Sequence, residues 1–122
     1  MGTMEKNISP LTKLKCKQAL TLLESSISVI PDVNSWAAET GVSRRWLCKS
    51  MKMVYGKSPQ ILIREKRFKK VVWLICDEGI QAGCYSVAVE AGFKSETALS
   101  KFLSKYHETN FTSLKANLLS EE

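Results

Sequence analysis

A chain of 122 residues with 44% apolar and 25% charged side chains can bury a core, which excludes wholesale disorder and leaves room for one compact domain or two very small units. No apolar run approaches the ~18 residues of a membrane span and no N-terminal apolar stretch reads as a secretory signal, so a cytoplasmic, reducing location without membrane contact is expected. The net charge of +6 suits a polyanionic partner, and its placement says more: Ser43 to Lys70 holds ten basic residues against one acid, Glu65, a local +9 that leaves −3 for the rest.

Little in the chain could run a reaction. Cys16, Cys48, Cys76 and Cys84 are spaced too widely and unevenly for a paired metal-ligand motif, and His107 is the one histidine. Reduced, mostly packed thiols follow, with no metal and no cofactor. With no glycine-rich phosphate loop and no nucleophile–base pair, an enzyme is not expected. Met1-Gly2-Thr3, ahead of Met4, reads as an appended remnant and is left out of fold reasoning.

In chain order, 3.6-residue periodicity predicts a helix from Leu11 to Ser25 burying Leu14, Ala19, Leu22 and Leu23, ended before Pro31. Asp32 or Asn34 caps a short helix through Trp36, Ala37 and Ala38, halted by Gly41, which tolerates the φ > 0 of a tight turn. Ser43 caps the next helix. Leu47, Ser50, Met51 and Val54 then fall at i, i+3, i+4 and i+7 and face a core, leaving Arg44, Arg45, Cys48, Lys49 and Lys52 outward. Trp46, beside Leu47, suits partial burial, with packing favoured over stacking on a ligand. Gly56 closes that helix. Ser58 and Pro59, as N-cap and first helical residue, open a long one reaching about Cys76, and Gly79 and Gly83 interrupt the chain before it restarts.

The pattern then recurs. AAETGVSRRWLCKSM, Ala37 to Met51, and AVEAGFKSETALSKFL, Ala88 to Leu103, both read Ala-x-Glu-x-Gly-apolar and continue as a capped helix. In the second copy Leu99, Phe102, Leu103 and Tyr106 repeat the apolar stripe, shifted by one inserted residue after Phe93. A short helix, a glycine turn and a second helix with a polar outer face make a helix-turn-helix, and two copies predict an all-α protein with two such units.

These residues resemble the DNA-binding domain of the AraC/XylS family of bacterial transcription regulators. Ala37, Gly41, Ser43, Leu47, Gly56, Ser58, Pro59 and Arg67 meet the pattern of the family's first unit. Val71, Leu74 and Ile75 continue its linker, with Val71 where alanine is usual, and Val87-Ala88, Gly92-Phe93, Ser95, Leu99 and Leu103 meet the second unit. The match spans about Leu11 to Lys115 and departs near its end, where Glu108, Phe111 and Leu114-Lys115 replace a glycine, a proline and an aromatic–arginine pair.

The resemblance implies two homeodomain-like helix-turn-helix subdomains, residues 8–58 and 78–119, joined by a linker helix over 59–77. Recognition helices 43–54 and 95–106 would enter adjacent major grooves of double-stranded DNA. It assigns Arg44, Arg45, Cys48 and Lys49 as base-contact candidates on the first helix, and Glu96, Thr97, Ser100 and Lys101 as their less basic equivalents on the second. Arginine suits guanine O6 and N7; Glu96 either serves the helix dipole or accepts from cytosine N4. Lys52, Lys57, Arg64, Lys94 and Lys105 are the phosphate-contact candidates. Further implied partners are RNA polymerase and an N-terminal sensor domain in a longer chain, of which this would be an excised part, monomeric in isolation. The alternative is a helical protein-interaction module binding an acidic partner.

Overall fold

A computed structural model describes residues 8–120; Met1-Gly2-Thr3 lies outside the described residues. Seven α-helices are described: α1 (Pro10–Ser25), α2 (Val33–Thr40), α3 (Arg44–Tyr55), α4 (Pro59–Glu78), α5 (Cys84–Glu90), α6 (Glu96–His107) and α7 (Phe111–Ser120), with a 3-10 turn over Gly79–Gln81. The expected all-α fold is borne out.

Local chemistry sets most boundaries. Ser9 Oγ accepts the Thr12 amide at 3.0 Å and Pro10 takes the first turn of α1. Asp32, rather than Asn34, caps α2, its carboxylate accepting the Ser35 amide at 2.8 Å. Ser43 accepts from Trp46 N at 3.0 Å to start α3, Ser95 from Ala98 N at 3.1 Å to start α6, and Asn110 from Ser113 N at 2.8 Å to start α7. The sequence repeat survives in the backbone: Ala37 O accepts the Val42 amide at 3.0 Å and Ala88 O accepts the Phe93 amide at 2.8 Å, the same six-to-one closure ending the first helix of each motif.

Contacts divide the chain into two compact units, ending and starting at Lys66 and Arg67 inside α4. In the first, Cys16, Ala19 and Leu23 of α1 pack with Trp36 and Ala37 of α2, Leu47 and Met51 of α3, and Leu62 and Ile63 of α4. The Trp36 indole N–H donates to Ala19 O at 2.9 Å, tying α2 to α1. In the second, Val71, Leu74 and Ile75 of α4 pack with Val87 and Ala88 of α5, and with Leu99, Phe102 and Leu103 of α6. Phe111, Leu114, Leu118 and Leu119 of α7 cover that core from one side. Each half of α4 is thus a core element of its own unit rather than a bare spacer.

Two residues expected in the core are exposed instead. Leu14 is 52% exposed because the buried face of α1 runs through Cys16, Ala19 and Leu23, and Leu14 lies about 200° around the helix from Cys16. Tyr106 is 41% exposed: it packs against the Phe102 ring at 5.4 Å instead of entering the core.

Glu108 ends α6 in the left-handed region with φ 52°, the one non-glycine at positive φ among the described residues. Glu108→Gly is expected to raise the stability of this unit by about 0.5–1 kcal/mol, the strain of a side chain at that conformation outweighing glycine's extra unfolded entropy. A urea titration giving an unchanged or lower midpoint would count against that strain.

Candidate nucleic-acid interface

The face of α3 follows from its wheel. Leu47, Ser50 and Met51 are buried and Val54 half-buried, while Arg45, Lys49 and Lys52 point the opposite way, within about 60° of arc. All three are exposed, and none of their side chains makes a hydrogen bond or ion pair with another described residue. They form a continuous cationic crest two turns long.

The flanks of α3 are engaged. Arg44 Nη1 donates to Asn34 Oδ1 of α2 at 3.1 Å. The Asp32 carboxyl is held below its usual range by the Ser35 amide, with a smaller contribution from Arg44. On the other side Trp46 is half-buried against the core, as its position favoured, and Lys15 Nζ of α1 lies 5.8 Å from its ring centroid. Cys48, expected outward, is half-buried and packed against the core: it sits only about 100° from Leu47, on the shoulder of the buried face.

Folding engages part of the +9 block. Lys57 Nζ pairs at 2.8 Å with the carboxylate of Glu65, the block's own acid, and Lys66 pairs with Glu24 from outside it. Arg64 is half-buried and engaged within the chain. Lys52 and Lys94 stay exposed, and Lys105 Nζ lies 5.2 Å from the Tyr106 ring centroid.

On α6, Leu99, Phe102 and Leu103 are buried and Glu96, Thr97, Ser100 and Lys101 are exposed, one carboxylate against one ammonium. Glu96 faces Cys84, whose thiol is pushed up first by burial and then by that carboxylate. The two outer faces therefore differ sharply in charge.

Three residues brace the second unit. Lys115 Nζ donates to Ile80 O at 2.6 Å and Ala82 O at 2.9 Å, fixing α7 to the turn before α5. The Arg67 guanidinium lies 5.6 Å from the Phe93 ring centroid. His107, exposed on its other side, stacks on Phe68 at 3.6 Å between centroids, and desolvation of the stacked ring lowers its pKa from 6.5. The folded state thus disfavours the imidazolium, so His107 contributes stability above pH 6.5 that is lost as pH falls through the lowered folded value. His107→Phe is expected to flatten the stability profile just below pH 6.5; melting curves in which wild type and variant keep the same pH slope would contradict it. The Asp32 effect falls in a separate, more acidic window, below 3.8.

Paired helix-turn-helix units, each with a buried-faced second helix and a polar outer surface, define a class of fold built to present helices to a groove. The family model described as a helix-turn-helix domain matches residues 36–117, and the chain belongs to this family, in its AraC-type branch. Three solved structures share the fold. A transcriptional regulator of Chromobacterium violaceum, described as containing an AraC-type DNA-binding domain, superposes with TM-score 0.74 at 20% identity, covering 93% of this chain and 100% of that one. The C-terminal domain of AraT, a response regulator of Geobacillus stearothermophilus, gives 0.75 at 18%, over 91% and 88%. A DNA-binding transcriptional dual regulator of Escherichia coli K-12 gives 0.71 at 19%, over 87% and 93%. No curated protein sequence matches the chain significantly.

Proposed function

We propose that the chain is a sequence-specific DNA-binding transcription regulator domain of the AraC type, in which α3 reads a major groove and α6 adds contacts in the adjacent one. The observation that carries this reading is the α3 crest, where Arg45, Lys49 and Lys52 are exposed and uncommitted among the described residues. A planar guanidinium can grip guanine O6 and N7 in two hydrogen bonds, which the Thr97 and Ser100 hydroxyls of α6 cannot do.

In these terms residues 8–58 form the reading subdomain, 59–77 the linker and 78–119 the supporting subdomain, acting without cofactor or catalytic step. RNA polymerase and a sensor domain in a longer chain are the further partners the family resemblance implies, and the cytoplasm is the proposed setting. No described helix is long and apolar enough to cross a membrane. Selection from a random pool of duplex DNA tests the reading. A short preferred site should emerge, and a chain that shifts no duplex at low salt would point instead to a helical module for an acidic protein partner.

A further inference from the structure

The cations around α3 stand at three positions. Arg45, Lys49 and Lys52 form its crest, while Arg44 and Trp46 lie about 100° to either side of Arg45. The Arg44 side leans on α2 through the 3.1 Å bond to Asn34 Oδ1, and the Trp46 side leans on α1, where Lys15 Nζ lies 5.8 Å from the ring. Both supports are neutral groups. Lys15 is exposed, makes no ion pair among the described residues, and so keeps its full charge over a ring that the core holds in place. Asp32, the acid nearest Arg44 in effect, already accepts the Ser35 amide as the α2 cap.

A helix seated in the major groove is bordered on both sides by phosphate backbones, with ~12 Å of groove between them. Resting on the DNA reading above, we propose that Lys15 is a phosphate-contact residue held by Trp46 at one border of the groove that admits α3, with Arg44, held by Asn34, at the opposite border. Lysine acts there as a mobile point charge, which suits a phosphate and not a base edge. Arg44, turned toward α2, contributes to affinity rather than to sequence choice. Base reading from unit 1 then rests on the crest.

The test uses a scrambled-sequence DNA duplex, titrated at several salt concentrations, with wild type, Lys15→Gln, Arg44→Gln and Lys17→Gln. Lys17 is exposed on α1 but about 200° around the helix from Lys15, so it controls for loss of charge alone. Lys15→Gln and Arg44→Gln should each flatten the log–log salt slope by about one unit, and Lys17→Gln should leave it nearly unchanged. On a preferred duplex from pool selection, Arg44→Gln should weaken binding without altering the selected bases. Equal effects of Lys15→Gln and Lys17→Gln, or a changed base preference in Arg44→Gln, would overturn the assignment while the DNA reading stood. A wild-type chain that fails to shift the duplex would overturn both.

Discussion

Trp36→Ala is expected to cost the first unit about 3–5 kcal/mol and to abolish presentation of α3. Trp36 is fully buried, the largest such side chain in the molecule's described core, and its indole N–H reaches Ala19 O at 2.9 Å. Truncation therefore opens a cavity where α1, α2 and α3 meet and removes a buried hydrogen bond together. A loss of that size is comparable with the whole stability of a small domain, about 5–15 kcal/mol. Trp36→Phe should cost less, because the ring volume is largely kept while the N–H is lost. Chemical denaturation resolves this: a Trp36→Ala midpoint close to wild type would mean that α2 is not held through this residue.

Arg45→Ala and Lys101→Ala are expected to differ in kind, although they occupy comparable outward places on α3 and α6. Arg45 stands on a crest with Lys49 and Lys52, whereas Lys101 shares its face with Glu96, Thr97 and Ser100. Loss of Arg45 should cost about 1–3 kcal/mol on the preferred site and relax base choice there. Loss of Lys101 should weaken preferred and scrambled duplexes nearly alike and flatten the salt slope by about one unit. Titration of both variants against both duplexes decides it. Equal weakening by Arg45→Ala, with discrimination eroded only in Lys101→Ala, would reverse the roles given to the two helices.

What could be read from sequence is what depends on neighbours in the chain. Gly41 at φ 82°, Gly56 at φ 72° and the Ser43 and Ser95 caps act within a few residues, so their spacing carries the helix ends and the repeat. The stripe Leu47, Ser50, Met51 was legible for the same reason: periodicity alone defines the buried side of a helix with both flanks packed. On α1 that logic misplaced Leu14, since a helix packed along one narrow face leaves apolar residues outside it, and composition does not say which face is used. The pairs Asn34–Arg44, Lys15–Trp46 and Lys115–Ile80 join residues 10 to 35 positions apart, and no local rule announces them. Glu108 shows a different limit. Its αL conformation was signalled by the glycine that the family pattern places there, while the terminal helix Phe111–Ser120 has only the Asn110 cap and a weak apolar face to mark it.

The measurement that bears most directly on DNA as the partner is the salt dependence of binding to a mixed-sequence duplex by the wild-type chain. Lys15, Arg44, Lys49 and Lys52 around α3, with Lys101 on α6, are five exposed cations available to phosphates, so the log–log slope should be near −4.5. A slope shallower than about −2 would contradict a phosphate-borne interaction and remove DNA as the ligand of this face.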